Sequence, residues 1–318
     1  MTPSVPFAER QNIMMDWKKA FSEKFSAHLQ ILWQEPLSKH TTFKIGGAAE
    51  CFVCVSNEGD IPKILDFCRT YQVDLHLMGN GSNLLVDDQG VPGVVMCMGE
   101  PFSAIRVEGN RITAQAGALM SKISRCACDE ALSGLEFAQG IPGSIGGGVI
   151  MNAGAYGGEM SQVVVCVEAY DREGKLLRLS GEELGFAYRT SAMKERELIV
   201  ASVTMELVPG DRAQIKFHMA EYAKRRREKQ PLEYPSAGST FKRPAGYYAG
   251  KLIQDAGFSG YQVGDACVSE KHCGFVINRG NATCAQVRLL MQKVIAGVEK
   301  AFGVTLEPEV IYWGQTDG

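Results

Sequence analysis

The spacing of apolar and polar positions divides the chain into three unequal stretches. Phe21 to Trp33 reads as an opening helix and Glu50 to Val55 as a strand. Ile61, Ile64, Leu65 and Cys68 then recur at helical spacing within Ile61 to Tyr71. Leu75 to Met78 is a short strand that runs into Gly79-Asn80-Gly81-Ser82-Asn83, and this first α/β unit closes with Val94 to Met98. Strand signals dominate the next stretch: Ile105 to Val107, Arg111 to Ala116, Val163 to Tyr170, Lys175 to Leu179 and Ile199 to Leu207, with one helix near Leu119 to Glu130. Val208-Pro209-Gly210-Asp211 reads as a linker. The remainder predicts helix, loop, short helix, strands, a long helix from Ala285 to Phe302 and a last strand through Glu309 to Trp313.

At 318 residues the chain exceeds one ordinary core, so two or three domains are expected, with room for a large ligand between them. Its 45% hydrophobic and 22% charged content is that of a soluble globular protein. A formal charge of −3 gives no overall electrostatic case for nucleic acid, although a local basic cluster can still hold an anion. No apolar run approaches the roughly 18 residues of a membrane span, and the N-terminus lacks the basic and apolar blocks of a signal peptide. A cytoplasmic protein without a membrane partner is the expectation.

The ten cysteines do not form a metal pattern. Cys51 and Cys54 are three apart in a strand and face opposite ways, whereas Cys126 and Cys128 diverge on a helix. Reduced, mostly buried thiols are expected, with no bound metal.

Two glycine-rich segments carry the first functional signal. Gly79 to Asn83 is followed by the apolar run Leu84-Leu85-Val86 rather than a helix, so it fits a strand-loop-strand phosphate cradle better than a Rossmann turn. In such a loop the backbone N–H groups can approach phosphate oxygens closely, and Ser82 and Asn83 can donate further hydrogen bonds. The second segment, residues 140–158, is dense in glycine but interspersed with Ile141, Ile145, Val149 and Ile150. Those side chains read as anchors of an ordered loop held against a ligand. Together the two loops imply an extended diphosphate carrying at least one flat ring.

Taken in order, several segments resemble the UDP-N-acetylenolpyruvoylglucosamine reductase family. They are His40-Thr-Thr-Phe-Lys-Ile-Gly-Gly47, Met78-Gly-Asn-Gly-Ser-Asn-Leu-Leu85, Gly140-Ile-Pro-Gly-Ser-Ile-Gly-Gly147, Asn152-Ala-Gly-Ala-Tyr-Gly157, Tyr188-Arg-Thr-Ser191 and Ala237-Gly-Ser-Thr-Phe-Lys-Arg-Pro244. The resemblance implies an α+β chain with an FAD-binding fold of the vanillyl-alcohol-oxidase/PCMH type. Two α+β subdomains, residues 1–98 and 99–209, would hold non-covalent FAD, and a smaller substrate-binding domain, 210–318, would follow. Residues 308–314 would return to the first subdomain. The implied reaction uses NADPH and FAD to reduce UDP-N-acetylglucosamine enolpyruvate, the substrate partner, to UDP-N-acetylmuramate.

Site roles follow from the same resemblance. FAD contacts are expected from Gly79, Asn80, Gly81, Ser82, Asn83, Leu84, Gly140, Ile141, Pro142, Gly143, Ser144, Gly146, Gly147, Asn152, Gly154, Ala155 and Tyr156. Ser239 would give a proton, while Arg189 and Glu309 would manage the substrate carboxylate. Without the resemblance these three read as a turn serine, a surface arginine and an exposed strand-start carboxylate. Lys229, Gln254 and His272 are the implied substrate-binding residues. The rest of Lys224-Arg225-Arg226-Arg227-Glu228 reads as a solvated helix face. Lys229 and Lys242 are the nearest cations in sequence that could assist Ser239. Arg243 and Ile311 depart from the family pattern, which often has asparagine and a basic residue at these places. The short stretch after Ser239 points to the compact branch of the family.

Overall fold

The computed structural model describes residues 17–314; residues 1–16 and 315–318, which the expected domain limits include, lie outside the described residues. The first unit contains α1 (17–25), β1 (Ile31–Pro36), β2 (Ala48–Cys54), α2 (Asp60–Tyr71), β3 (Leu75–Met78), β4 (Leu84–Val86) and β5 (Val91–Cys97). Its four-stranded sheet has the order β1-β2-β5-β3, in which β5 runs parallel to both β2 and β3. The opening helix ends earlier than expected, at residue 25. Trp17, Phe21 and Phe25 bury one helical face, but Ile31 to Trp33 leave the helix and pair antiparallel with Val53 to Cys51. Bulky β-branched and aromatic residues pack better on a pleated sheet than in a last helical turn.

The second unit holds β6 (Ile105–Glu108), β7 (Arg111–Gln115), α3 (Met120–Asp129), β8 (Leu132–Ser133), α4 (Ile145–Ile150), β9 (Gly154–Ala155), β10 (Gly158–Glu159), β11 (Val164–Tyr170), β12 (Leu176–Ser180), α5 (Ala192–Glu195), β13 (Ile199–Glu206) and β14 (Val208–Pro209). Its five-stranded antiparallel sheet has the order β12-β11-β13-β7-β6. One buried apolar cluster, from Trp17 to Leu207, joins this unit to the first. The expected linker is in fact tied down. Val208 and Pro209 pair with Ser133 and Leu132, and the Asp211 carboxylate accepts the Gln214 N–H at 2.9 Å as an N-cap.

The third unit comprises α6 (Arg212–Lys229), α7 (Ala249–Asp255), β15 (Gln262–Val263), β16 (Ala266–Val268), β17 (Val276–Asn278), α8 (Cys284–Phe302) and β18 (Ile311–Trp313). Strand β18 lies parallel to β4, pairing Ile311, Tyr312 and Trp313 with Leu84, Leu85 and Val86. Ile311 to Trp313 are thereby hydrogen-bonded to the strand that follows the first glycine loop. Asp88 makes a second tie, accepting the Cys284 N–H at 2.7 Å and the Ala285 N–H at 3.0 Å at the start of α8. Asp88→Ala is expected to cost about 1 kcal/mol, as loss of a helix-terminal acceptor does, and urea unfolding checks it. An unchanged midpoint would contradict the tie. No helix among the described residues is long and apolar enough to cross a membrane.

Candidate active site

The two glycine segments meet face to face. A Cβ on Gly79 would lie 2.2 Å from Ser144 Oγ, and the Asn80 amide donates to the Pro142 carbonyl. Gly81, with φ +59°, passes so close to His40 that a Cβ there would sit 2.2 Å from its carbonyl oxygen. Glycine is required at this crossing for both reasons. Asn83 fixes the loop to the approach to β18: its amide donates to Glu309 O at 3.2 Å, and its carbonyl accepts the Ile311 N–H at 2.9 Å.

The second segment is not wholly a loop. Ile145 to Ile150 form a helical turn and a half in which three of the six residues are glycine, a sequence with poor intrinsic helix propensity. Packing overrides that propensity. Gly146 approaches Ala116 and Gly148 approaches Met120, distances at which any side chain would push the helix off the sheet. Gly147 faces the other way, with nothing within 4 Å of its would-be Cβ.

Between the segments lies a cavity of about 740 Å³, a volume ordinary for a site holding a large organic ligand. Fifteen of the expected cofactor residues line it: Gly79 to Leu84, Gly140 to Ser144, Gly146, Gly147, Gly154 and Ala155. Asn152 and Tyr156 do not. Buried Asn152 bridges backbone instead, donating to Ala187 O at 3.2 Å and accepting the Ser161 N–H at 2.9 Å. Tyr156 stacks on Tyr222 at 4.7 Å.

Ser239, Arg189 and Glu309 line the same cavity, although they come from three separate parts of the chain. Thr240 explains the first juxtaposition: its N–H donates to Gly274 O and its carbonyl accepts the Glu309 N–H, both at 2.8 Å. Ser239 is thus held one residue from the strand-like contact that carries Glu309. Arg189 sits at the second position of the two-residue turn closed by Ala187 and Thr190, with φ +57°. That conformation costs a non-glycine residue about 1–2 kcal/mol, and it turns the side chain towards Glu309. Arg189 Nε lies 2.7 Å from Glu309 Oε1. Because this Nε–H has no aligned hydrogen-bond acceptor, the contact is an ion pair without good hydrogen-bond geometry. Burial pushes the Glu309 carboxyl above its usual range, and Arg189 opposes that shift only in part.

The three expected substrate residues do not line the cavity. Lys229 and Gln254 are exposed, and half-buried His272 accepts the Gly274 N–H on Nδ1 at 3.1 Å. Burial lowers the His272 pKa. Lys242, suggested as an aid to Ser239, instead pairs with Glu307 at 2.9 Å. The lysine and arginine side chains that do line the cavity are Lys44, Arg189 and Arg226.

Arg226 is the residue that the solvated-face reading missed. It is only 8% exposed, its Nη1 donates to Gly140 O at 2.8 Å, and its buried Nε has no hydrogen-bond partner. Desolvation lowers its pKa, with Tyr156 opposing. A signal was present in the spacing: Ile215, Met219, Tyr222 and Arg226 follow one stripe of α6, and Ile215 and Met219 pack with Cys128 of α3.

These features suit an anionic, partly flat ligand. The open space over Gly147, the close backbone crossings and the cation with an unpaired donor are what an FAD cradle requires. Gly147→Val is expected to leave the circular dichroism and melting temperature near wild type while the purified protein loses its flavin. Retention of stoichiometric flavin would show that the cavity floor is elsewhere.

The fold and cavity define the chain as an FAD-binding oxidoreductase of α+β type. An FAD binding domain model matches residues 49–180, and a model of the UDP-N-acetylenolpyruvoylglucosamine reductase C-terminal domain matches residues 230–313. The chain belongs to the UDP-N-acetylenolpyruvoylglucosamine reductase family. It is 48% identical over 299 residues to the reductase of that name from Agathobacter rectalis, covering 90% of this chain and 95% of the relative. The corresponding protein of Caldanaerobacter subterraneus subsp. tengcongensis is 47% identical over 281 residues, covering 88% and 93%. The crystal structure of the Thermus caldophilus reductase superposes with a TM-score of 0.77 at 34% identity, covering 90% of this chain and 99% of that one.

Proposed function

We propose that the chain reduces UDP-N-acetylglucosamine enolpyruvate to UDP-N-acetylmuramate with NADPH as reductant, a step in making peptidoglycan precursors. The observation that carries this reading is the convergence of Ser239, Arg189 and Glu309 on the cavity lined by both glycine segments. FAD, when bound, supplies the hydride that NADPH provides and that adds to the terminal vinyl carbon.

Addition there places negative charge on the neighbouring carbon and its carboxylate. Arg189 is suited to receive that charge, because a guanidinium can hold a carboxylate through two parallel N–H bonds. Its contact with Glu309 is made through Nε, at 2.7 Å. A substrate carboxylate arriving at this pair puts a second negative charge beside Glu309, which raises its already elevated pKa further. Protonated Glu309 then donates to the developing enolate and stabilises it. Ser239 Oγ gives the proton to the carbon, and the cations Lys44, Arg189 and Arg226 around the cavity favour the alkoxide left behind.

Isotopic labelling tests the direction of both transfers. With NADPH deuterated at its transferable position, the label is expected at the terminal carbon of the product. In D₂O with unlabelled NADPH, deuterium is expected at the carbon bearing the carboxylate. Interchanged labels would overturn the assignment of Ser239.

A further inference from the structure

A second cavity, of about 640 Å³, adjoins the first and shares Thr42, Lys44, Gly79, Asn80 and Met98 with it. Two of its lining residues are cysteines from different strands, Cys54 and Cys97. They end β2 and β5 and are direct partners in the parallel register. Adjacent strands lie about 4.8 Å apart, inside the range of about 4.4–6.8 Å over which Cα atoms accept a disulfide. Cys54 is half-buried and Cys97 is 7% exposed, so one thiol is reachable and the other waits behind it. The Cys97 thiol also points at the Gly79 carbonyl, with Sγ 3.8 Å from the oxygen. Strand β3 makes the same connection through the backbone, since Met78 pairs with Cys97 and its carbonyl accepts the Met98 N–H at 2.8 Å.

We propose that Cys54 and Cys97 form an oxidisable dithiol that closes to a disulfide with hydrogen peroxide and thereby loosens the flavin-binding loop at Gly79. The thiolate of Cys54 attacks a peroxide oxygen; an S–O bond forms, the O–O bond breaks, and the departing oxygen leaves as water after taking a proton. Cys97 sulfur then attacks Cys54 sulfur, forming the S–S bond and releasing a second water. The dithiol gives up two electrons and the peroxide accepts them. Lys39, His40 and Lys122 line the same cavity and favour an anionic attacking sulfur. The neighbouring Cys97 thiol lowers the Cys54 pKa, whereas Cys54 and burial raise Cys97, which fits attack by Cys54 and resolution by Cys97.

Once Cys97 is bonded to Cys54, its sulfur no longer donates to the Gly79 carbonyl. The other cysteines lack this arrangement. Cys51 and Cys68, for example, are both buried, and burial raises both thiols to about 12.

The test uses the flavin-loaded protein and stoichiometric hydrogen peroxide under air-free conditions. Loss of two titratable thiols is expected, with a Cys54–Cys97 linked peptide in a non-reducing digest and its disappearance on adding dithiothreitol. Flavin dissociation, followed by fluorescence of released FAD, is expected to rise by about threefold to tenfold, the scale of one lost weak hydrogen bond, and to recover on reduction. Cys54→Ser should abolish the fast thiol loss, and Cys97→Ser should leave Cys54 as a sulfenic acid trappable by dimedone. The wild-type comparison before and after dithiothreitol does not depend on either variant folding. A different linked pair, no linkage, or a linkage that leaves flavin dissociation unchanged would overturn the proposal, whatever the outcome for substrate reduction.

Discussion

Ser239→Ala is expected to slow enolpyruvyl reduction by about 10²–10⁴-fold, the usual contribution of a positioned proton donor, while flavin reduction by NADPH proceeds at the wild-type rate. The separation follows from how the residue is held. Thr240 anchors the backbone beside it through bonds to Gly274 and Glu309, both at 2.8 Å, and no hydrogen bond of the Ser239 hydroxyl contributes to that anchoring. Removing Oγ therefore deletes a proton without moving Glu309. Stopped-flow absorbance resolves the half-reactions, since the flavin bleaches in one and recovers colour in the other. Equal wild-type rates in both would remove Ser239 from the mechanism, and parallel loss of both would make it a structural residue.

The second large effect concerns Glu309. Glu309→Ala is expected to reduce the same half-reaction by about 10²–10³-fold, the loss typical of one oxyanion donor. Glu309→Gln should recover part of that loss, because a neutral amide can still donate. The pH dependence distinguishes the two. Burial raises the Glu309 pKa above 4.5, so the folded protein holds this proton to higher pH than an unfolded chain does. Protonated Glu309 is fully available below the folded pKa and is lost as pH rises through it. Activity that depends on it falls in the same window, and Glu309→Gln should flatten that limb. The same shift means that ionised Glu309 detracts from stability above its folded pKa and spares the protein that cost below its unfolded one. A limb that persists unchanged in Glu309→Gln would assign it to another group.

Much of the frame is legible in local pattern. The strand after Gly79 to Asn83 is the unbroken apolar run Leu84 to Val86, and the absence of a following helix rightly separates this loop from a Rossmann turn. The glycine helix from Ile145 to Ile150 is not legible, because its stability comes from Ala116 and Met120 across the core rather than from its own propensity. Trp33 misleads for the same kind of reason: its place is set by pairing with Cys51, a partner that spacing within Phe21 to Trp33 cannot reveal.

The site divides along the same line. Sequence order supplies Ser239, Arg189 and Glu309 through family resemblance, but their convergence needs the Thr240 bridge and the positive φ of Arg189, neither of which has a local signature. Arg226 differs, since its stripe with Ile215 and Met219 was visible and the charge run around it obscured it. Lys229, placed near substrate by the motif before Pro231, is exposed.

The proposed reaction passes hydride from NADPH to an enolpyruvyl ether within this cavity. An anaerobic absorbance titration tests it most directly. The purified protein is expected to show an oxidised flavin spectrum, to bleach with one equivalent of NADPH, and to regain the full spectrum on adding UDP-N-acetylglucosamine enolpyruvate. A protein that bleaches with NADPH but regains colour only with oxygen, or that carries no flavin, would contradict the account.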